Sequence, residues 1–225
     1  MASTKLDNPV WHSLNETHQN YVVNYNGIRF YHPNYCPFGG FTHLNDTLQG
    51  IHQYASLADS FFVVGEKPLF TDQQILKKDL ICNQMVLEKP INIEPKENII
   101  ELITEEQKND LFHLVTLVQP GYFKKKTSDL GRYFGIYKNN ILIAATGERM
   151  KMNDFTEVSA VVTHPNHTRK GYAKQLITHT TNQIFNENKT PYLHVTSTNT
   201  NAIKLYEKLG FYTRRKISFW QFKQN

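Results

Sequence analysis

The stretch "VVTHPNHTRKGYAKQL" (Val161–Leu176) reads as a strand that ends at a proline, a short loop and the start of a helix. A helix N-terminus leaves backbone N–H groups without partners and carries partial positive charge, so such a loop binds phosphate oxygens readily. Gly171 allows backbone conformations that a side chain would forbid, and Ala173 keeps the first turn small. Three basic side chains would add charge: Arg169, Lys170 and Lys174. A solvated basic helix start explains this stretch equally well, so the loop alone leaves both interpretations open.

Regular elements surround this stretch on both sides. A strand candidate, "NIIELI", precedes a helix that begins with Thr104 as N-cap and Gln107 three residues later, and Pro120 ends it. Asn139-Asn140 suits the positive φ of a tight hairpin turn, and a second hairpin turns near Asn153. Apolar spacing extends the helix after the loop to about Asn186. The predicted order is β-α-β-β-β-α-β-α-β, a mostly antiparallel sheet flanked by helices, with one βαβ crossover.

A second group of residues lies in "PYLHVTSTNTNAIKLYEKLGF", Pro191 to Phe211. Asn199 stands at a strand-to-helix junction, and Tyr206 follows about two helical turns later, at 3.6 residues per turn. Both side chains are therefore expected along one side of the helix, where they can address one ligand. The alternative is an N-cap asparagine and a core tyrosine. Gly210 is the expected C-terminal stop of this helix.

The first 95 residues are less regular. Short strands are predicted around "SFFVVGEKP" and "LICNQMVLE", with a possible helix at residues 72–78, so a mixed α/β layer is expected there. Prolines and charges in "EKPINIEPKEN" (residues 88–98) predict a boundary. We therefore expect two parts, residues 1–95 and residues 96–225. No internal repeat is visible in the sequence, although a diverged structural repeat would escape that test.

Composition narrows the classes of function. The chain has 225 residues and a net charge of +5, but residues 1–95 carry −3 and residues 96–225 carry +8. The sequence has no long basic run with interleaved aromatics, which would favour nucleic-acid binding. It also has no apolar run of the roughly 18 residues that a membrane span needs, and no Cys/His spacing typical of a zinc site. Cys36 and Cys82 are expected to be buried thiols. We expect a cytoplasmic protein without metal, with a small polyanionic ligand on its basic part.

Taken together, the two segments resemble the acetyl-CoA-binding half of the GNAT superfamily of N-acetyltransferases. The family's strand–loop–helix motif ends in R/Q-x-x-G-x-G/A, and its later N-x-x-A-x-x-L-Y-x-K-x-G-F pattern is present from Asn199 to Phe211. The resemblance covers roughly residues 98–225 and implies the fold order given above. Within the superfamily, "PGYFKKKTSDLGRYFGIY" with "GERM" is similar to the branch related to glycine N-acyltransferases, in which a divergent N-terminal part shapes the acceptor pocket.

The resemblance also implies roles for individual residues. The backbone of Val161, Val162 and Thr163 would face the pantetheine arm of acetyl-CoA. Asn199 would contact the pantetheine, and Tyr206 would lie near the sulfur. The pyrophosphate would be held by the backbone of a loop whose members are Thr168, Arg169, Lys170, Gly171, Tyr172, Ala173 and Lys174. Thr168 occupies the position that is usually Arg or Gln. The pyrophosphate would therefore be bound by the backbone of the loop rather than by the side chain at that position.

Candidates for proton transfer follow from chemistry. A phenol with a pKa near 10 is a suitable acid for a departing thiolate, so Tyr206 is the acid candidate. If the hairpin is centred between Met152 and Asn153, Glu148 and Glu157 face each other, and their repulsion would raise one pKa towards that of a working base. The alternative is that each glutamate pairs with a cation such as Arg149 or Lys151. His194 is treated as structural, because a lone strand histidine usually is.

The leading hypothesis is an acetyl-CoA-dependent N-acetyltransferase, a monomer or homodimer, that acts by direct transfer to a small amine, an amino acid or a peptide. A non-catalytic acyl-CoA-binding module is the rival from another class. A nucleic-acid binder that uses the +8 region is a weaker third hypothesis, which predicts salt-dependent binding.

Overall fold

Strand pairing organises the chain into one mixed sheet, seen in a computed structural model that describes residues 4–224. Five helices and eleven strands fall within these residues, besides short 3-10 turns. The helices are α1 (Pro9–Asn15), α2 (Thr47–Ala55), α3 (Glu105–Val118), α4 (Tyr172–Asn186) and α5 (Thr200–Lys208). The strands are β1 (Val22–Tyr25), β2 (Ile28–Tyr31), β3 (Phe38–Phe41), β4 (Ser60–Val64), β5 (Gln74–Val86), β6 (Ile100–Glu101), β7 (Tyr133–Lys138), β8 (Ile141–Lys151), β9 (Phe155–Thr163), β10 (Thr190–Thr196) and β11 (Tyr212–Gln224).

The order of elements predicted for the second part is confirmed. From β6 to β11 the chain runs β-α-β-β-β-α-β-α-β, and α4 is the crossover between the parallel strands β9 and β10. Local signals placed these elements well. Thr104 and Gln107 form a reciprocal capping box at the start of α3, and Asn139 and Asn140 take φ values of 51° and 61° in the β7–β8 turn. Gly210, with φ of 96°, follows α5.

The helix predicted at residues 72–78 is wrong. Residues 74–78 begin β5, a strand of 13 residues that pairs with β11 along its length and with β10 over residues 82–86. Two long partners supply a complete hydrogen-bond ladder, and this tertiary pairing outweighs the weak local helical signal of the segment.

Helices cover both faces of the sheet. Neighbouring residues on one strand alternate between them: Tyr31 packs in the cluster of α1, whereas Phe30 packs in the cluster of α2. Likewise Ala145 packs in the cluster of α3, whereas Ala144 packs in that of α4. Cys36 and Cys82 are buried thiols, as predicted, and burial raises the pKa of each to about 12. No helix within residues 4–224 has the length and apolar character needed to span a membrane.

A structural repeat lies within the sheet. In the first half, α1 precedes the antiparallel strands β1, β2 and β3, and α2 then crosses over to the parallel strand β4. In the second half, α3 precedes β7, β8 and β9, and α4 crosses over to β10 in the same way. The two halves exchange their last strands: β11 of the second half pairs with β4 of the first, and β5 of the first half pairs with β10 of the second. The boundary predicted near residue 95 falls between β5 and β6, and one sheet continues across it.

A cleft opens where β9 and β10 diverge. These parallel strands pair over only three positions, from Thr190–Phe155 to Tyr192–Glu157. Beyond them, β9 bulges at Ala160, whose φ is 51°, and its register with β8 shifts between Ala145 and Gly147. A bulge next to an unpaired strand edge is a common way to shape a functional site.

Candidate functional site

A cavity of about 470 Å³ occupies this cleft and is lined from both faces of the sheet. Its walls include four residues predicted from the sequence to contact a cofactor: Val161, Ala173, Asn199 and Tyr206. The first half of the chain contributes Phe38, Leu80 and Cys82. A larger groove of about 890 Å³ lies against α2, but it is more open and none of the predicted site residues lines it. We therefore place the candidate site at the cleft.

The backbone of β9 presents a free edge to this cavity. Val162 and Thr163 pair with Ala145 and Ala144 of β8 on one side, while the ladder to β10 ends at Glu157. The Val162 side chain packs into the α3 cluster, and Val161 lines the cavity. An unpaired strand edge offers the N–H and C=O groups that an extended amide chain can bond.

The loop at residues 168–174 presents backbone donors. Arg169 and Gly171 both adopt positive φ, 63° and 80°, and Gly171 is the N-cap of the 15-residue helix α4. A Cβ built on Gly171 meets no atom within 4 Å, so the space above it is open. Within residues 4–224, none of the hydrogen bonds uses the backbone N–H groups of Arg169–Ala173. This arrangement matches a phosphate site at a helix N-terminus.

Side chains of this loop take separate roles. Those of Arg169, Lys170 and Lys174 are exposed, so their charges are screened by solvent. The Thr168 hydroxyl turns back to the Pro165 carbonyl, 3.4 Å away. Tyr172 is buried and packs with the apolar cluster under α4, so its backbone alone can serve a ligand.

Asn199 caps α5 and also lies where a ligand could contact it. Its side-chain oxygen accepts a hydrogen bond from the Ala202 backbone N–H at 3.2 Å, which makes it the N-cap of α5. The same residue lines the cavity, and among the described hydrogen bonds none uses its amide nitrogen. The amide can therefore cap the helix and still donate to a ligand.

Tyr206 lies on α5 and also lines the cavity. Its side chain is 7% exposed and packs edge-on against Phe211. Its hydroxyl takes part in none of the hydrogen bonds found in the described part of the chain, and burial raises its pKa to about 12. The hydroxyl is thus a free donor that stays protonated at neutral pH.

The expected pairing of Glu148 with Glu157 is wrong. Bulges shift the β8–β9 register so that Glu148 pairs with Val158, and the two carboxylates do not face each other. Each has a cation instead, which is the alternative drawn from the sequence. Glu157 accepts two hydrogen bonds from Arg149, at 2.7 and 2.8 Å, and Glu148 accepts one from Lys151 at 2.6 Å.

The raised pKa expected for one glutamate is also not found at Glu157. Burial alone would raise that pKa, but the charge of Arg149 and hydrogen bonds from His194 and Arg149 outweigh it and lower the pKa to about 2. A carboxylate held this strongly as an anion is a weak base. Glu148 is fully buried beside Arg132 and Lys151 and is not among the residues that line the cavity.

Two cavity residues were not assigned to the site from the sequence: Arg149 was considered only as a cation beside a glutamate, and His194 was set aside as structural. The His194 Nδ1 lies 2.8 Å from Glu157, and its Nε2 lies 3.1 Å from the Gln84 amide nitrogen. Gln84 must present its NH2 group there, because its oxygen accepts from Arg214. His194 therefore accepts at Nε2 and donates at Nδ1, which holds Glu157 in place. Only the alternation of Tyr192, His194 and Thr196 along β10 hinted at this contact.

Acid is expected to weaken the fold through Glu157. Because its folded pKa of about 2 lies below the ordinary glutamate pKa of 4.5, its contribution is complete above pH 4.5 and is lost as the pH falls towards 2. The difference in unfolding free energy between wild type and Glu157→Gln should shrink by on the order of 3 kcal/mol over that window. Urea unfolding at several pH values would measure it. Exposed Glu105→Gln is the control, and a difference for Glu157→Gln that stays constant with pH would contradict the assigned ion pair.

Comparisons with known proteins agree with this geometry. The family model described as FR47-like protein matches residues 133–220. A search of curated proteins found no match. A crystal structure assigned to the GNAT acetyltransferase family, from Novosphingobium aromaticivorans, superposes with a TM-score of 0.88 at 27% identity and covers 99% of this chain and 100% of its own.

More distant structures show the same fold. A GCN5-related N-acetyltransferase from Kribbella flavida matches with a TM-score of 0.62 at 13% identity, over 96% of this chain and 93% of its own. A tandem GNAT protein from the clavulanic acid biosynthesis pathway matches with a TM-score of 0.56 at 13% identity, over 86% of this chain and 77% of its own. The chain therefore has the mixed, mostly antiparallel fold of GNAT acetyltransferases, and the matches support a place in that superfamily.

Proposed function

We propose that the protein is an acetyl-CoA-dependent N-acetyltransferase that transfers an acetyl group directly to a primary amine. One observation carries the proposal: a single cavity at the divergence of β9 and β10 is reached by the free β9 edge, by the start of α4 and by Asn199 and Tyr206. We also propose that the protein is related to the glycine N-acyltransferase branch and that it is a cytoplasmic monomer or homodimer. The first half of the chain supplies part of the acceptor wall through Phe38 and Leu80.

The cleft fits acetyl-CoA along its length. The open space above Gly171 and the unpartnered N–H groups of the 168–174 loop suit the pyrophosphate, while the β9 edge at residues 161–163 and the Asn199 amide suit the pantetheine amides. When bound there, acetyl-CoA supplies an activated acetyl thioester. In the transfer, the amine nitrogen bonds to the carbonyl carbon, the carbon–sulfur bond breaks, and the proton lost by the amine balances the thiol that is released.

Tyr206 is proposed to stabilise the departing sulfur. With a pKa raised to about 12, its hydroxyl donates a hydrogen bond to a thiolate more readily than it gives up its proton. This differs from the full proton donor expected from the sequence. Neither Glu157, with a pKa of about 2, nor Glu148, outside the cavity wall, fits the expected base, so we assign catalysis mainly to orientation of a neutral amine.

Titration calorimetry with acetyl-CoA, followed by CoA release in the presence of an amine library, tests the proposal. We expect binding at sub-millimolar acetyl-CoA and acetylation of at least one amine. Absence of binding would refute the proposal. Binding without transfer to any amine would instead favour the rival, a non-catalytic acyl-CoA-binding module.

Substitution of Asn199 separates its two roles. Asn199→Ala should cost about 1 kcal/mol of stability through the lost cap and should also weaken acetyl-CoA binding. Asn199→Ser restores an oxygen that can cap α5 but has no amide to donate. Thermal unfolding should therefore recover in the serine variant, whereas the Kd for acetyl-CoA should stay about 5- to 10-fold above that of wild type, from one lost hydrogen bond. A serine variant with wild-type affinity would rule out donation by the amide.

A further inference from the structure

Arg149 occupies the cavity wall in an unusual electrostatic position. Its side chain is 13% exposed, lies 4.7 Å from the centre of the Phe38 ring and pairs with the buried carboxylate of Glu157. The pair leaves this part of the cavity without net charge. Aromatic stacking and the carboxylate together fix the guanidinium plane.

Only part of the Arg149 guanidinium is used by this ion pair. Nε donates to Oε2 of Glu157 at 2.7 Å, and Nη2 donates to Oε1 at 2.8 Å. A guanidinium has five N–H donors, so three of them, two on Nη1 and one on Nη2, have no partner among residues 4–224. Two of these donors, one on Nη1 and one on Nη2, lie along the Nη1–Nη2 edge, which has the fork geometry that matches a carboxylate.

Glu157 cannot turn to use this second edge. Its Oε1 is also held by His194 at 2.8 Å, and His194 is itself fixed by Gln84. Both carboxylate oxygens of Glu157 therefore stay bonded to the Nε–Nη2 edge of Arg149. The free edge belongs to a residue of the cavity wall, so a ligand in the cavity can reach it.

We infer that Arg149 binds the carboxylate of the amine acceptor, so that the acceptor is a free amino acid rather than a simple amine. This inference rests on the proposed function and adds the chemical class of its acceptor. The carboxylate of an amino acid meets a preformed two-donor fork at this edge. Apolar wall residues, among them Phe38, Leu80 and Phe219, leave room for an apolar side chain.

Matched acceptors test the inference in the wild-type protein. Glycine, leucine and phenylalanine are compared with their carboxamides, with kcat/KM expressed per neutral amine. We expect the acids to be favoured by about 10- to 100-fold, the effect of losing a hydrogen-bonded charged contact. Equal values for acids and amides would overturn the inference while leaving the proposed function intact.

Two matched variants locate the effect. Arg149→Lys keeps the charge beside Glu157 but removes the fork, and it should abolish the preference for acids over amides. Arg132→Lys is the control, because Arg132 also pairs with a glutamate through two bonds but does not line the cavity. Unchanged preference in Arg149→Lys would overturn the assignment. Should that variant fail to fold, the wild-type comparison still decides.

Product binding provides a readout without turnover. N-acetylleucine and N-acetylleucinamide are titrated into wild-type protein saturated with CoA. Tighter binding of the acid, by about 10-fold or more, is expected from the Arg149 fork. If no amine is acetylated, the proposed function fails, and the inference then stands or falls on this preference alone: equal binding of acid and amide overturns it.

Discussion

Replacing Gly171 with valine will weaken acetyl-CoA binding by at least about 100-fold, the cost of two lost charge-assisted hydrogen bonds. Gly171 has φ of 80° and an open space above its Cα, which we assign to the pyrophosphate. A branched side chain there fills that space and disfavours the backbone conformation that aims the N–H groups. Titration calorimetry with acetyl-CoA measures the loss.

Gly65→Val is the matched control for this experiment. Gly65 has φ of 112° and no atom within 4 Å of a built Cβ, so it carries the same backbone strain with the same free space. It lies between β4 and β5 and does not line the cavity. Both variants should lose about 1–3 kcal/mol of stability, but only Gly171→Val should lose binding. Wild-type affinity in Gly171→Val would exclude the 168–174 loop as the phosphate site.

Tyr206→Phe will lower kcat by about 10- to 100-fold and leave the Kd for acetyl-CoA within about twofold. The hydroxyl has no partner within residues 4–224, and its proposed bond to sulfur strengthens only as the thiolate forms. Removing it should therefore leave the unfolding temperature unchanged. Steady-state kinetics and calorimetry on the same preparation separate turnover from binding.

Tyr137→Phe controls for the chemical change. The Tyr137 hydroxyl donates to Asp110 at 2.8 Å, and this residue is not part of the cavity wall. Its loss should affect stability slightly and turnover not at all. An unchanged kcat in Tyr206→Phe would remove Tyr206 from the mechanism. An equal loss of kcat in both variants would point to a general effect on the fold.

Local signals explain why the second half of the fold could be predicted. A capping box at Thr104, a turn at Asn139 and a helix stop at Gly210 each act over a few residues, so the sequence displays them directly. The first part of β5 was predicted as a helix because its strand conformation is set by pairing with β11, which is distant in sequence. Propensity is a weak guide where pairing with distant strands decides the conformation.

Motifs in the sequence led to residues that share one cavity, whereas contacts that depend on strand register were not predicted. Gly171, Asn199 and Tyr206 belong to motifs, and Asn199 and Tyr206 line one cavity. The facing positions predicted for Glu148 and Glu157 were wrong because bulges in β8 and β9 add residues that shift the register of a regular hairpin. For His194 the only local signal is the alternation along β10, because its partner Glu157 lies on the neighbouring strand.

The exchange of β5 and β11 between the two halves has a consequence for how the chain folds. β4 pairs with β3 on one side and on the other only with β11, which follows every other strand in the sequence, and β10 pairs with β5 from the opposite half. Such long-range pairing is slow, because a large loop must close before any ladder forms. During synthesis the edge of β4 stays unpaired until β11 has been made, and an unpaired strand edge favours aggregation. The cavity is lined by residues of both halves and by Phe219 of β11, so we expect it to be complete only after the two halves have joined.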